Sequence, residues 1–240
     1  MRRGLSFGGI PGVLFSSGNT WSESRRASLH TLRDFGLGKT ILEDIIDQEV
    51  DNLIQHIEDN WIDTPLDVSE FFNIPVLASL WRIISGESLK IGDEKLNVIV
   101  SLFQILNVEF GNPLVMTSLN HCWIYKFINY VGLIKFQKGI DGIYEFCLEV
   151  IESHKCKNID GDNPLTFVEA FLHKIGMNEN PSHPLHGDLG EFNLLNTLVD
   201  LFIAGSDTTA KTMNWAMLYM IQNPEVQAKV REELYLNSNW

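Results

Sequence analysis

The longest apolar stretch of the chain runs from Asn193 to Ile221 and contains no proline. Hydrophobic residues occupy nearly every side of a helix drawn through it, and a helix that is apolar all round is typical of a protein interior. At about 1.5 Å per residue, a helix of this length would extend roughly 43 Å, about the width of a whole domain. The pattern therefore predicts a long central helix, which we place at residues 191–222.

Apolar residues recur every three or four positions through most of the remaining sequence, which is the period of an amphipathic helix. Thr20-Trp21-Ser22-Glu23 has the form of a capping box, so it predicts a helix that starts there and stops near Gly36. Residues 1–18 and 176–190 are predicted to be loops. Further helices are predicted at Ile41 to Trp61, Asp67 to Ser85, Asp93 to Phe110, Lys138 to Lys155, Asp162 to Ile175 and, starting with Asn223-Pro224-Glu225, within 223–240. Since no strand pattern occurs, we predict one all-α domain over residues 1–240.

Composition narrows the classes of function. The net charge of −13 and the pI near 4.9 argue against nucleic acid as a partner. The three cysteines have no CxxC spacing, which argues against a disulfide scaffold or a zinc site and favours a reducing compartment. No run of about 18 apolar residues is present, so no segment is expected to span a membrane unaided.

The middle of the predicted central helix is Ala204-Gly205-Ser206-Asp207-Thr208-Thr209, a run of poor helix formers. The Thr208 hydroxyl can bond back to the carbonyl of Ala204, and Gly205 leaves the backbone open to a ligand. A buried Asp207 would need a partner or water. An acid beside an alcohol in an apolar pocket can relay protons to a ligand. The alternative is an ordinary buried helix with a polar kink.

Four segments resemble motifs of the cytochromes P-450, the heme-thiolate monooxygenases. Residues 204–209 match A/G-G-x-D/E-T-T/S of the family's long I helix, and Trp21 with Arg25 resembles W-x-x-x-R of its C helix. Leu32 to Lys39 is similar to LRDFGMGK, and Asn223 to Val230 is similar to the NPEVQxKV start of the J helix, both in the wording of animal microsomal, family-two-like members. Residues 19–175 would then correspond to helices C to H.

The resemblance implies roles for individual residues. Trp21 and Arg25 would bind a propionate of heme b, and Ala204, Gly205 and Thr208 would lie against the heme and dioxygen. Thr208, with Asp207, would deliver protons to the bound dioxygen. The substrate pocket would include Phe202, Ile203 and Ala204.

The resemblance also implies the setting of the reaction. The family inserts one atom of dioxygen into a lipophilic substrate (a xenobiotic, a fatty acid or a steroid-like molecule), using electrons from a reductase flavoprotein. Its microsomal members lie on the cytoplasmic face of the endoplasmic reticulum membrane. The apolar stretches 93–134 and Leu198–Ile203 would shape the pocket, and 114–134 could dip into a membrane surface. Plain core packing would explain that apolar run equally well.

Two family motifs that follow the J-helix start are not found after Asn223 in the given sequence: the E-x-x-R pair and the F-x-x-G-x-R-x-C-x-G loop that carries the cysteine ligand of the heme. Cys122, Cys147 and Cys156 are expected to be packing or solvent thiols, and the loop residues His183 and His186 are not expected to bind a metal. We therefore expect a partial, inactive chain without the axial thiolate. The alternative is a non-catalytic helical module. A terpene-synthase-like enzyme is disfavoured because no DDxxD cluster occurs.

Overall fold

The computed structural model describes residues 12–34, 40–61, 65, 67–68, 71–89, 93–118, 122–130, 135–156, 164 and 166–237. Within these ranges the protein consists of helices and connecting loops, and no strand is present, so the all-α prediction is confirmed. The helices are α1 (Gly18–Asp34), α2 (Thr40–Asn60), α3 (Asn73–Ser85), α4 (Glu94–Phe110), α5 (Pro113–Ser118), α6 (Cys122–Tyr130), α7 (Phe136–Lys155), α8 (Phe167–Gly176), α9 (Gly187–Gln222) and α10 (Pro224–Asn237).

Helix α9 is the central element, and α1, α3, α7, α8 and α10 all pack against it. Its 36 residues span about 54 Å. The first half, up to Phe202, is buried on most sides, whereas after Ala204 the buried positions are Ser206, Ala210 and Asn214 on a single face. The expectation of a helix buried all round is therefore wrong for the second half, where Met213, Trp215, Tyr219 and Ile221 are exposed.

A continuous apolar core joins α1 and α3 through α9. Its largest fully buried side chains include Trp81 of α3, Phe167 and Phe171 of α8 and Phe202 of α9. The predicted burial of one face of α7 is confirmed, because the following residues are all in this core: Ile143, Phe146, Cys147, Val150 and Ile151.

Several predicted helix starts are wrong. The central helix begins at Gly187 rather than near residue 191, so the loop before it is shorter than 176–190, and Leu185 in that loop is buried. Helix α8 begins at Phe167 after Thr166, whose side chain accepts a hydrogen bond from the N–H of Glu169. Pro164 therefore precedes the helix, and the predicted start at 162–163 lies outside the described residues.

The capping box predicted at Thr20 is not formed. Helix α1 begins at Gly18, so Thr20 already lies in the first turn, and its carbonyl accepts the Ser24 hydroxyl at 2.6 Å. The Glu23 carboxylate instead lies 2.6 Å from a guanidinium nitrogen of Arg26 and 3.4 Å from Nε2 of His183. The predicted end of this helix near Gly36 falls in residues 35–39, outside the described ranges.

Helix α3 is shorter than predicted, because it begins at Asn73 and not at Asp67. Pro75 therefore lies in its first turn, where a missing N–H breaks no helical hydrogen bond. The amide oxygen of Asn214 on α9 accepts the N–H of Phe72 at 3.2 Å, which ties the start of α3 to the central helix.

Helix α2 is where predicted, but only part of its predicted apolar face packs against the rest of the protein. Ile46, Val50 and Ile54 are exposed, while Leu53 and Glu49 are buried against α3. The Glu49 carboxylate lies 4.0 Å from the Arg82 guanidinium of α3. The periodic pattern thus located the helix correctly, but the predicted apolar face was wider than the face that packs, and Glu49 beside it is buried.

Candidate functional site

The hexapeptide 204–209 lies inside an uninterrupted helix, where Ala204, Thr208 and Thr209 face outward and Ser206 is buried. Ala204 and Thr208, one turn apart, are both exposed. The Thr208 hydroxyl donates to the Ala204 carbonyl at 2.6 Å, as the sequence predicted, and Thr212 repeats the pattern by donating to the Thr208 carbonyl at 2.8 Å. This creates an open face of small side chains on the helix that carries the core, which we call the Ala204 face (Ala204, Thr208 and Thr212).

Asp207 has partners on both carboxylate oxygens, which agrees with the expectation that a sheltered acid needs compensation. Its Oδ1 accepts the side-chain amide of Asn107 on α4 at 2.6 Å. Its Oδ2 lies 2.7 Å from the ammonium nitrogen of Lys211, one turn along α9. The carboxylate is thus held between a neighbouring helix and its own.

Gly205 faces α3. A Cβ on Gly205 would lie 3.2 Å from Cδ2 of Leu80, which is closer than ordinary van der Waals contact. Its missing side chain therefore allows α9 and α3 to approach each other. The contact with a cofactor that the sequence analysis assigned to Gly205 remains a prediction.

Phe202 and Ile203 lie on the inner side of the same helix turn. The Phe202 ring is 1% exposed, with its centroid 6.1 Å from that of Trp81 and 5.9 Å from that of Phe146. Ile203 is half-buried and packs against the core. Of the three residues predicted to contact substrate, Ala204 is thus the one whose side chain is exposed.

Trp21 and Arg25 lie together on the outer side of α1, where the Arg25 guanidinium carbon is 5.6 Å from the centre of the Trp21 ring. The pair borders a shallow concavity of about 310 Å³ whose other lining residues include Arg26, His30 and Arg33. The three arginines are exposed. This basic surface, on a chain of net charge −13, was not recognised in the sequence.

A buried polar cluster beside the Ala204 face was also missed. Asp200, one turn before Ala204, accepts the backbone N–H groups of Val13 and Leu14 on its Oδ2 at 2.6 and 2.9 Å. Next to it, Asn196 accepts the hydroxyl of Tyr144 and donates to the carbonyl of Phe192 at 2.6 Å. The available signal was the recurrence of polar residues every three or four positions in an apolar helix: Asn193, Asn196, Thr197 and Asp200.

Burial controls the acid–base properties of this cluster. Loss of solvent raises the pKa of Asp200 above its ordinary value, while the two N–H groups act in the opposite direction. Burial, followed by the nearby Asp200 and Cys147, raises the pKa of Tyr144 to about 12. The Tyr144 hydroxyl therefore remains a hydrogen-bond donor at neutral pH.

The cysteines and histidines have other surroundings. Cys147 is fully buried on α7, and burial raises the pKa of its thiol, while Cys156 is exposed at the end of the same helix. His183 accepts the N–H of Leu185, and a ring nitrogen of His186 bonds with the carbonyl of Asn178. Among the described residues, no group of three histidine, cysteine or carboxylate side chains is arranged to hold a metal ion.

Two separate exposed features, which border no common cavity among the described residues, each suit one part of a flat, anionic macrocycle. The small side chains of the Ala204 face leave room for a planar group against the helix. Arg25, steadied by the Trp21 ring, offers a planar fork that suits a carboxylate. In contrast, the part of the chain that is described offers no thiolate on the Ala204 face, since Cys147 is buried in the core.

A protein-family model described as Cytochrome P450 matches residues 6–236. Similar curated proteins include Cytochrome P450 2C3 of Oryctolagus cuniculus, 32% identical over 93% of this chain, and Cytochrome P450 2C44 of Mus musculus, 31% identical over 93%. Cytochrome P450 2L1 of Panulirus argus is 28% identical over the same share. This chain covers 44% of each of the first two relatives and 45% of the third, so it spans less than half of their length.

Proposed function

Because this chain belongs to the cytochrome P450 family, we propose that it supplies the helical wall of the heme pocket in a monooxygenase. The complete reaction would insert one atom of dioxygen into a lipophilic substrate, with electrons from a reductase flavoprotein. The observation that supports this most directly is the Ala204 face: an open strip of small residues on the helix around which the core is built. When bound, heme would supply the redox chemistry that activates dioxygen.

In this proposal Thr208 holds a proton at the edge of the pocket. Its hydroxyl donates a hydrogen bond to the Ala204 carbonyl, so Oγ1 would pass its proton on only after the hydroxyl turns towards the ligand. Asp207 would be the neighbouring acid that returns a proton to Thr208. Its own proton would come from solvent, on the side where the exposed Lys211 contacts its carboxylate. Ala204 would contact substrate and heme directly, Gly205 would present its backbone to the heme while its missing side chain lets α9 approach α3, and Phe202 and Ile203 would line the inner side of the pocket.

Trp21 and Arg25 would hold a propionate of the heme. The guanidinium can donate two parallel hydrogen bonds to a carboxylate, and the indole ring restricts its orientation. Arg26 and Arg33 lie on the same exposed side of α1. We infer that this basic surface also attracts the acidic surface of a redox partner.

We infer that the axial thiolate comes from neither Cys147 nor Cys156. A thiol buried in an apolar helix face resists ionisation, and none of Cys122, Cys147 and Cys156 lies in the F-x-x-G-x-R-x-C-x-G pattern of the family's ligand loop. The purified chain is therefore expected to give no thiolate-type difference spectrum when its heme is reduced and exposed to carbon monoxide. Such a spectrum would contradict this inference about the ligand.

We propose the cytoplasmic face of the endoplasmic reticulum as the location of the enzyme, with α6 as one contact with the membrane surface. Trp123, Phe127 and Tyr130 are exposed and share one side of α6, while Ile128 is buried on the other. Aromatic side chains favour the boundary between water and lipid. None of the described helices is long and apolar enough to cross a bilayer.

Heme titration of the purified chain, followed through the Soret absorbance, tests the proposed pocket. We expect saturable binding that Ala204→Trp weakens, because the indole would fill the open face. Ala216→Trp is the matched control, since Ala216 is an exposed alanine later in the same helix. Absence of saturable binding, or equal loss in both variants, would contradict the heme pocket. Resistance to protease without heme would then favour the helical module, whose core closes without a ligand.

A further inference from the structure

The acid of the hexapeptide is attached to a second helix. Asn107, near the end of α4, donates its side-chain amide to Oδ1 of Asp207 at 2.6 Å, across 100 residues of sequence. Helix α4 packs mainly on α7, with smaller contacts to α3 and α5. The bond therefore links the acid to an element that is held mainly by α7.

The two donors on Asp207 are not equivalent. Lys211 is an exposed lysine one turn along the same helix, and its side chain is 54% exposed against 19% for Asp207. Exposed ion pairs at this spacing contribute little, because water and ions compete with them. The Asn107 amide lies in a more sheltered place, so water competes less for its hydrogen bond to the carboxylate. Asn107 should thus decide the orientation of the carboxylate.

We propose that Asn107 is a positioning residue, which acts through Asp207 and fixes the carboxylate in one orientation relative to the Ala204 face. The position of α4 then sets the orientation of the acid. The catalytic importance of this inference rests on the proposed function, in which Asp207 exchanges protons with Thr208. The geometric part concerns only this chain and can be measured without heme.

A purely structural bond between α4 and α9 would give a different result. In that case Asn107→Leu would lower stability but leave the Asp207 side chain in its rotamer, held by Lys211. A positioning role requires the rotamer itself to change. The Asp207 χ1 angle therefore separates the two roles.

The experiment measures three-bond couplings to the Asp207 side-chain carbon by NMR on the labelled full chain. We expect a single χ1 rotamer in the unaltered chain and averaging over several staggered rotamers in Asn107→Leu. Asn97→Leu is the matched control, being the same change at an exposed asparagine of the same helix, and should leave the Asp207 couplings unchanged. Lys211→Met should leave them nearly unchanged too.

An Asp207 side chain that stays in one rotamer in Asn107→Leu, or that averages only in Lys211→Met, would overturn the proposal. Circular dichroism establishes that each variant is folded. If Asn107→Leu does not fold, Asn107→Ser removes the side-chain amide with a smaller change. Heme titration is run in parallel, and Asn107→Leu should bind heme like the unaltered chain. Failure of every form to bind heme would contradict the proposed function while leaving the rotamer result to decide the role of Asn107.

Discussion

Gly12 and Asp200 approach so closely that a Cβ on Gly12 would lie 2.5 Å from Oδ2 of Asp200. Gly12 has a φ of 126°, a conformation that side chains rarely allow, and it lets the next two N–H groups, of Val13 and Leu14, turn onto the same oxygen. A backbone concavity of this kind binds anions. The contact therefore fixes residues 12–14 on α9, one turn before Ala204.

Gly12→Ala should break this contact. The substitution adds both backbone strain and a collision with the carboxylate, so we expect a loss of about 2–4 kcal/mol in unfolding free energy or local release of the segment. Hydrogen exchange at the Val13 and Leu14 amides would become faster. The measurement is exchange followed by mass spectrometry or NMR.

Gly18→Ala is the control for this prediction. Gly18 also has a positive φ, of 63°, but no atom lies within 4 Å of the position of its Cβ. It therefore reports the backbone strain alone. Equal exchange rates at residues 13 and 14 in the two variants would contradict the role given to the Gly12–Asp200 contact.

Asp200→Asn should change how stability depends on pH. Burial raises the pKa of Asp200 in the folded protein, so the folded chain holds this proton more tightly than the unfolded chain does. The contribution of Asp200 to the unfolding free energy is fully present below the pKa that this residue has in the unfolded chain. It is lost as pH rises through the higher pKa of Asp200 in the folded chain. The unfolding free energy of the unaltered chain minus that of the variant should fall over this window.

Urea unfolding of both proteins between pH 4 and pH 7 measures this difference, and other titrating groups cancel in the subtraction. Tyr144 does not contribute, because its pKa of about 12 keeps it neutral throughout. A difference that increases with pH would show that the N–H groups of Val13 and Leu14 outweigh burial.

Much of the helical organisation could be predicted because helix periodicity is a local property of the sequence. Helix starts were less predictable, since several polar residues compete for the N-cap. At α8 the order Thr166-x-x-Glu169 was an available capping signal. The predicted start was nevertheless placed at Asp162, because Pro164 is typical of the first turn of a helix. The inward face of α2 was not predictable from period alone, since its neighbour α3 decides which side is covered.

The candidate site was predictable where its contacts are local. The bond from Thr208 to Ala204 spans one turn and follows from residue type and spacing. The partner of Asp207 on α4 and the backbone bound by Asp200 lie 100 and 187 positions away, so no local pattern indicates them. Packing of helices distant in sequence creates these contacts.

Two glycines of α7 should respond differently to alanine. A Cβ on Gly139 would lie 2.8 Å from Cδ2 of Leu106, which is 1% exposed, whereas one on Gly142 would lie 2.6 Å from Cδ2 of the half-buried Leu102. Leu106 has no space into which to move, so Gly139→Ala should cost about 1–3 kcal/mol. Leu102 can turn towards solvent, and the better helix propensity of alanine, up to about 1 kcal/mol, should make Gly142→Ala nearly neutral.

Urea unfolding of the two variants checks this prediction directly, since each serves as the control for the other. Both substitutions replace a glycine of α7 by alanine, and both glycines face a leucine of α4. Equal destabilisation would mean that the separation of α4 and α7, and not the freedom of each leucine, sets the cost.

Replacing both Trp123 and Phe127 of α6 by alanine should weaken binding to lipid vesicles. These side chains are 74% and 62% exposed, so the change removes apolar surface without emptying the core. Each large aromatic that enters an apolar phase contributes about 1.5–3 kcal/mol, so we expect a loss of more than tenfold in partitioning. Co-sedimentation with phosphatidylcholine vesicles containing some phosphatidylserine measures it.

The control for the vesicle experiment replaces Trp215 and Tyr219 of α9 by alanine. This pair is exposed to a similar degree, with ring centroids 6.2 Å apart, but lies on a different helix. Its partitioning should stay close to that of the unaltered chain. Equal losses in the two double variants would mean that exposed aromatic surface in general, and not α6, makes the contact.

Phe202→Ala should lower the stability of the folded chain, whether or not a ligand is bound. The ring is fully enclosed with Trp81 and Phe146, so truncation leaves a cavity and should cost about 3–5 kcal/mol of unfolding free energy. Phe202→Leu, which refills most of the volume, should recover much of this loss, and urea unfolding of the two variants measures both. A small effect of Phe202→Ala on stability would mean that the ring faces an open pocket, as its predicted role in substrate binding requires.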